Sequence, residues 1–243
     1  MRLVTGCNEH YYPRMVGYLN SLQKYADFPV TLVGVGFTPP AMDGIETVTI
    51  TRAQNRGAPP ETECIQHGSF LPLLDGDEDS EVVIYTDGDF IMQRAMDAGE
   101  RAFLSIGHGE VVVGYNFGAH STLRNDAELL GVQITWDELE KRYGEIIHTA
   151  QDYNVGFLAM TRRTWAILHQ SYLQDYPPIC GVFSHMARQQ WLISWEIATL
   201  GLAVNLCPWS IHAHGHGGLK PGMYYGNGGL YHDGKLALFR HHA

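Results

Sequence analysis

The chain has 243 residues, 45% of them hydrophobic and 17% charged: enough apolar material for one substantial core, and too apolar a composition for a disordered protein. Lys and Arg total 16 against 26 Asp and Glu, a formal net charge of -10, which argues against a general nucleic-acid binder but not against a small anion neutralised locally by a metal. No run of about 18 apolar residues is present to span a membrane, no basic and apolar leader opens the chain, and Cys7, Cys64, Cys180 and Cys207 lie too scattered for a Cys-x-x-Cys pair, so reduced thiols in a cytoplasmic protein are the expectation, with peripheral membrane contact left open.

Arg2 to Thr5 reads as a first strand, followed by the turn Gly6-Cys7-Asn8-Glu9. From Pro13 to Tyr25, Met15, Tyr18, Leu19 and Leu22 recur at helical spacing. Val30 to Val35 and Ile45 to Ile50 are further β-branched runs. Short strands alternating with helical patterns predict an α/β fold with a mostly parallel sheet covered by helices. Arg52 to Pro60 reads as a loop, and Glu61 to Leu74 as a helix before the acidic turn Asp75 to Asp79.

The apolar run Val82-Val83-Ile84-Tyr85-Thr86 ends abruptly in Asp87-Gly88-Asp89. In extended backbone, residues i and i+2 point the same way, so both carboxylates can aim at one hard cation. Gly88 would let a bulky ligand approach the backbone. A buried strand delivering paired anions is costly unless something positive compensates them. Asp75-Gly76-Asp77 follows no strand and reads as a solvated turn.

Further along, Asp97 to Ile106 predicts a helix, Glu110 to Tyr115 a strand, and Leu123 to Tyr143 helix broken near Gly131. Asn154 to Met160 predicts a strand and Arg163 to Gln174 a helix, closed by Pro177-Pro178. His185 to Leu200 predicts a long helix and Ala203 to Cys207 a strand. Ile211 to Gly229 is dense in His and Gly without periodicity, and Asp233-Gly234 predicts a tight hairpin within Leu230 to Leu236. One domain with an irregular C-terminal lobe is the simplest organisation.

That lobe carries two chemical signals. His212-Ala213-His214-Gly215-His216 offers imidazoles, which together with carboxylates suit Mn(II) or Zn(II), while carboxylates with water suit Mg(II). The three alternating histidines could hold zinc alone, or form a solvated loop. Lys220, beside Pro221 in a Gly-rich loop, is placed as a point-charge partner for phosphate or as an ordinary surface lysine.

With these residues in place, the chain resembles nucleotide-sugar glycosyltransferases of the GT-A fold, most closely family 8, the glycogenin and galactosyltransferase group. Thr5-Gly6-Cys7-Asn8-Glu9-His10-Tyr11, leading to Ser21-Leu22, is similar to the family's first strand, nucleotide-contacting turn and helix. Asp87-Gly88-Asp89 stands at its Asp-x-Asp motif, and Tyr153-Asn154-Val155-Gly156-Phe157 is similar to its Phe-Asn-x-Gly-Val block. His214-x-x-Gly217-x-x-Lys220-Pro221 matches its late signature at every fixed position. The resemblance implies a single GT-A-like, Rossmann-like domain, with a nucleotide-binding half over 1–115 and a sugar and acceptor half over 116–243. It implies Asp87, Asp89 and His214 as metal ligands, with Asp87 also at the ribose. Lys220 and Gly217 would hold the diphosphate, Tyr11 would lie against the base, and Thr5, Gly6 and Asn8 would line the nucleotide pocket. Two departures stand out: Gly222 replaces the Trp that usually follows Lys-Pro, and Gln189-Gln190 replaces an Asp-Gln pair, so Gln189 cannot ionise.

The implied activity is transfer of a hexose from a nucleotide diphosphate sugar, UDP by family likeness, to a glycan or other hydroxyl acceptor, with Mn(II) or Mg(II) as cofactor. Carboxylates one residue apart on one strand cannot straddle a sugar ring as hydrolase pairs do. An inverting enzyme needs a base, for which Asp152 and Glu196 are candidates; retention, with Gln190 near the reacting face by resemblance, is the expectation. Asn154, Gly156, Gln189 and Gln190 would shape the sugar site. Trp191, Trp195, Trp209 and Tyr224 offer either acceptor-stacking surface or core. A nucleotidyltransferase would need a Gly-rich basic loop after the first strand, which Gly6 to Pro13 lacks. A non-catalytic binder of metal or sugar nucleotide is consistent with Gln189. A homodimer through the His-Gly lobe stays open.

Overall fold

The computed structural model of the chain describes residues 1–50, 79–114, 121–179, 181–183, 188–214 and 219–241, the side chains of Leu173, Pro177, Pro178 and His214 excepted. The predicted loop over 52–60, the helix over 61–74 and the Asp75-Gly76-Asp77 turn lie outside the described residues. The chain begins with β1 (Arg2–Cys7), α1 (Tyr12–Tyr25), β2 (Val30–Val35) and β3 (Ile45–Ile50), the three strands pairing in parallel. β4 (Val82–Thr86) returns to the opposite side of β1, also in parallel. The carboxyl ends of β1 and β4 therefore flank the point where strand order reverses, which is where open α/β sheets hold their ligands.

After β5 (Phe90–Met92) and α2 (Ala98–Leu104) come β6 (Glu110–Gly114), α3 (Leu123–Leu129), α4 (Trp136–Tyr143) and β7 (Asn154–Thr161). β7 inserts antiparallel between β4 and β6. The helices α5 (Arg162–Ile179) and α6 (Arg188–Thr199) precede β8 (Ala203–Leu206), which pairs in parallel with β6. The finished sheet has the order β3-β2-β1-β4-β7-β6-β8, so a single strand of the seven runs against the rest. α5 continues through Pro177-Pro178 to Ile179, past the predicted end at Gln174. Prolines lack the N–H that an inner turn would use, so the last turn forgoes those bonds.

Alternation along the buried strands divides the core between the two faces of the sheet. Leu3, Ile84, Phe157 and Ala159 meet Met15, Tyr18, Leu19 and Leu22 of α1 on one face. Val4, Tyr85, Leu158 and Met160 meet Trp165, Leu168, Trp191 and Leu192 of α5 and α6 on the other. Trp165 Nε1 also donates to the Val83 carbonyl (3.0 Å), tying α5 to the strand that ends at Asp87. No helix among the described residues is long and apolar enough to cross a membrane.

The C-terminal lobe holds β9 (His212–His214), β10 (Met223–Gly226), β11 (Gly229–His232), β12 (Lys235–Leu236) and β13 (Phe239–His241). β9 and β10 fall where aperiodic His- and Gly-rich sequence concealed them. Asp233 and Gly234, at φ of 48° and 80°, make the predicted β11–β12 turn. β13 pairs with both β5 and β9, joining the lobe to the strand after Asp89.

Charged side chains fix that junction. Arg94 donates to Glu100 (2.8 and 2.5 Å) and to the Leu236 carbonyl (2.6 Å), while Lys235 donates to Glu100 (2.7 Å) and Asp97 (2.6 Å). Burial raises the Glu100 carboxyl, but hydrogen bonds from Arg94, Lys235 and the Asp97 N–H together hold it below its ordinary value. A carboxyl depressed in the fold stabilises above its unfolded pKa, and that stability is lost as pH falls through the folded pKa. Glu100→Ala should therefore cost on the order of 3 kcal/mol in urea unfolding at pH 7, because it takes the carboxylate from the Arg94 guanidinium and leaves Lys235 with Asp97 alone, with the difference shrinking below about pH 4. A pH-independent difference would mean that packing, not charge, holds the lobe.

Candidate functional site

The crevice at the ends of β1 and β4 is built around Thr86. Thr5 Oγ1 donates to the Thr86 carbonyl (2.8 Å), and Tyr18 Oη lies 2.5 Å from Thr86 Oγ1. Both Thr5 and Tyr18 are buried, so Thr5 supports the crevice from beneath instead of lining it. Asn8 Oδ1 accepts from Tyr11 N (2.9 Å), shaping the turn into α1, which holds Tyr11 half-buried at the helix entrance with the Arg14 guanidinium 5.4 Å from its ring centre. Gly6 is buried in the last turn of β1 before this loop.

Asp87 is aimed by Gly156 and Tyr85. Its N–H donates to the Gly156 carbonyl (2.9 Å), and Tyr85 Oη donates to its Oδ1 (2.7 Å). Its Oδ2 lies where Gly156 leaves room: a Cβ there would stand 2.7 Å from Asp87 Oδ2 and 3.0 Å from Asn154 Oδ1. Asn154 Oδ1 in turn accepts from Gly156 N (2.9 Å). The Asn-x-Gly segment thus serves as a seat for the first aspartate. Gly156→Ala should displace that carboxylate with a modest loss of stability, and any Mn(II) binding centred on Asp87 should weaken at least about tenfold, read by calorimetry beside a thermal melt. Unchanged affinity would place such binding elsewhere. Gly88 is small for a different reason from ligand access, since a Cβ there would meet the Met15 side chain at 2.6 Å.

Asp89, half exposed, lies 3.0 Å from His241 Nε2. His241 stacks on Phe90 (4.6 Å), and Phe90 stacks on His212 (4.9 Å), which is buried against Phe157. His212 is thus a core residue, and His241 is a site neighbour that no local pattern announces. In the β5-β13-β9 sheet, His214 is paired with His241 and His241 with Phe90. Two strand spacings, roughly 10 Å, separate the backbone of His214 from the residue after Asp89. Among the described residues no three His, Cys, Asp or Glu side chains form a ready metal-binding group. The side chain of His214, and Gly217, lie outside those residues.

Lys220 is half-buried in the loop after β9, which closes by Met223 N donating to its carbonyl (2.9 Å). Gly222 has a φ of 79°, and a Cβ there would collide with Asp233. The left-handed backbone and this crowding explain why glycine stands where the resembled family carries Trp.

On the opposite wall, neighbouring glutamines diverge. Gln189 is buried, 3.4 Å from Tyr172 Oη of α5. Gln190 donates through Nε2 to Asp152 Oδ2 (2.7 Å). Asp152 is itself buried, in contact with Asp126 and Ser194, and Ser194 Oγ accepts from Tyr153 N (3.0 Å). Burial first, and the Asp126 carboxylate second, push the Asp152 carboxyl up to about 8. Lost hydration and a like charge at hand both favour the protonated form of the buried Asp152 carboxyl. The cluster joins α6 to the start of β7, within about 14 Å of chain from Gly156.

Other candidates lie apart from this arrangement. Glu196 is buried between α5 and α6, bonded to Ser171; burial chiefly, with Asp175 adding, lifts its carboxyl to about 8. Trp191 is core and donates to the Leu123 carbonyl (2.7 Å), Trp195 donates to the Tyr143 carbonyl (2.8 Å), and Trp209 packs beneath the lobe. Tyr224 is exposed, stacked on Tyr231. Cys7 and Cys207 are buried free thiols; burial pushes Cys7 up to about 12 and Cys207 well above its ordinary value.

No protein-family profile and no curated protein matches the sequence. Solved structures do. The galactosyltransferase LgtC in complex with donor and acceptor sugar analogs superposes with a TM-score of 0.58 at 9% identity, covering 99% of this chain and 86% of that one. An active-site mutant of LgtC gives 0.58 at 10% identity with the same coverage. At such identity the likeness is one of fold: the chain has the GT-A, Rossmann-like architecture, a mostly parallel sheet flanked by helices.

Proposed function

We propose, on this GT-A fold, that the chain is a metal-dependent glycosyltransferase moving a hexose from a nucleotide diphosphate sugar, UDP in the first instance, to a glycan or other hydroxyl acceptor. The observation that carries the reading is the junction at the reversal point of the sheet. There Asp87 is seated on Gly156, and Asp89 faces the sheet that bears His214 and His241. Two carboxylates with an adjoining imidazole fit Mn(II) or Mg(II), and the space that Gly156 keeps for Asp87 Oδ2 matches a carboxylate held in one orientation. Asp87, Asp89 and His214 would hold the ion, which supplies Lewis-acid stabilisation of a diphosphate leaving group.

The chain's own side chains divide the remaining work. Tyr11 and the turn through Gly6 and Asn8 border the nucleotide, with Thr5 fixing that turn to β4. Lys220, with Gly217, places positive charge and backbone N–H groups against the phosphates. Asn154 and Gly156 set the height of the sugar floor. Gln189 supports from within the core, and Gln190 borders the sugar. Its amide nitrogen is committed to Asp152, which leaves the carbonyl oxygen to face substrate. A carboxyl raised to about 8 is largely protonated at neutral pH, so Asp152 acts as a positioning group that fixes Gln190. Asp152, buried and engaged by Gln190, is closed to an acceptor hydroxyl, which favours retention, where departure of the diphosphate carries the barrier.

A screen of nucleotide-sugar donors with Mn(II), read by release of nucleoside diphosphate, tests the proposal. Metal-dependent release from one donor class supports it. Tight UDP binding with no release from any donor, with or without glycan acceptors, would favour the non-catalytic binder.

A further inference from the structure

A cleft of about 470 Å3 opens on the outer side of the C-terminal lobe, between the second half of α1 and the β10–β11 hairpin. Residues Ile91 to Gln93 form its floor. The walls are tied to this floor. Ser21 Oγ accepts from Met92 N (3.0 Å) and holds α1. Gln93 holds the hairpin, accepting from Leu230 N (2.9 Å) and donating to the carbonyls of Leu230 (3.1 Å) and Ala237 (3.0 Å). The cleft is therefore built into the fold, and its volume falls within the range of small-molecule sites, about 300–1,000 Å3.

Beside Ser21 and Gln93, which hold the walls, the lining includes Asn20, Lys24, Tyr25, Asn227, Tyr231 and Arg240. On a chain of net charge -10, the described residues of the lining include two cations and no carboxylate. Lys24 makes no ion pair among the described residues; its ammonium lies 4.8 Å from the centre of the Tyr25 ring. Arg240 reaches across to the Gly228 carbonyl (3.4 Å), which sets its guanidinium beside the hairpin turn. Tyr231 is held by parallel stacking on Tyr224 at 5.2 Å and 7°. Asn227, at φ 47°, sits in the tight turn and presents its amide from the rim. Rings for the apolar face of a pyranose, amides for its hydroxyls and two cations for a negative substituent make one coherent set.

We infer that this cleft binds an anionic saccharide, one carrying a carboxylate or phosphate, at a site separate from the Asp87 crevice. α1 leads from the crevice at Tyr11 down to Lys24, so the two sites lie at opposite ends of one helix. The choice of a saccharide rests on the transferase reading above, whereas the choice of an anion rests on the lining alone. A growing acidic glycan held here would keep its chain on the enzyme between transfers.

The test is calorimetry of the full chain with a glucuronate-containing tetrasaccharide, a neutral tetrasaccharide and inorganic phosphate, with Mn(II)–UDP binding measured on the same preparation. The expected result is that the acidic tetrasaccharide binds roughly tenfold more tightly than either other probe, that Lys24→Gln removes this preference and that Lys24→Arg retains it. Lys24 is exposed, so neither variant should disturb folding or Mn(II)–UDP affinity. Equal binding of acidic and neutral sugars, no binding of the acidic one, or a preference that survives Lys24→Gln would overturn the inference. Binding of the acidic sugar without Mn(II)–UDP affinity would sustain this site while removing the transferase reading.

Discussion

Asp89→Asn is expected to reduce Mn(II)-dependent UDP affinity by about 100-fold while leaving the melting temperature nearly unchanged. The substitution keeps the shape of the side chain and a carbonyl oxygen for the contact with His241, now at 3.0 Å from Asp89. It removes the charge alone. Asp89 is half exposed, so loss of its charge has little to act on in the apo fold, where surface ion pairs contribute about 1 kcal/mol or less. A cation shared between two carboxylates and a diphosphate has a far larger stake in that charge. Calorimetry of UDP with and without Mn(II), run beside a thermal melt, separates the cases. Retained affinity would mean that Asp89 serves only to dock His241.

Lys220→Ala is expected to lower single-turnover rates at saturating donor by about 10^2 to 10^3, with a smaller loss in donor affinity. Negative charge grows on the leaving diphosphate as the glycosidic bond breaks, so a fixed ammonium contributes more in the transition state than in the ground state. The Lys220 loop is held by Met223 N on its carbonyl and by Gly222 packed against Asp233, and neither depends on the lysine side chain. A thermal melt run beside the kinetics separates a folding effect from a catalytic one. A rate at saturation equal to that of the parent would remove Lys220 from leaving-group stabilisation.

What the sequence disclosed depended on how local the information was. Val30–Val35 and Ile45–Ile50 were readable to the residue because both are runs rich in β-branched residues, the first buried throughout and the second half exposed at the sheet edge. The pair Asp87 and Asp89 stood out because i, i+2 acids at the end of such a run break its pattern. By contrast, β5, β9 and β13 are three residues each and exist through pairing with one another across the chain. No window of sequence contains that information, so nothing local marks His241 as the partner of Asp89. Asp126 was hidden similarly: it meets Asp152 because Thr122 bridges to Gln151. The departure at Gln189 pointed to lost chemistry, yet one residue of helix rotation puts Gln189 beside Tyr172 and Gln190 on Asp152. Gly88 and Gly156 illustrate the limit for glycine: sequence marks a need for space, and only packing shows that Met15 and the Asp87 carboxylate occupy it.

The measurement closest to the central claim is a crystal structure of the Mn(II)–UDP complex with the metal located by its anomalous signal. The account predicts one peak within coordination distance of carboxylate oxygens of both Asp87 and Asp89 and of a His214 nitrogen, with the diphosphate on the same ion and uracil by Tyr11. A manganese peak away from Asp87 and Asp89, or UDP bound outside the crevice between β1 and β4, would contradict it.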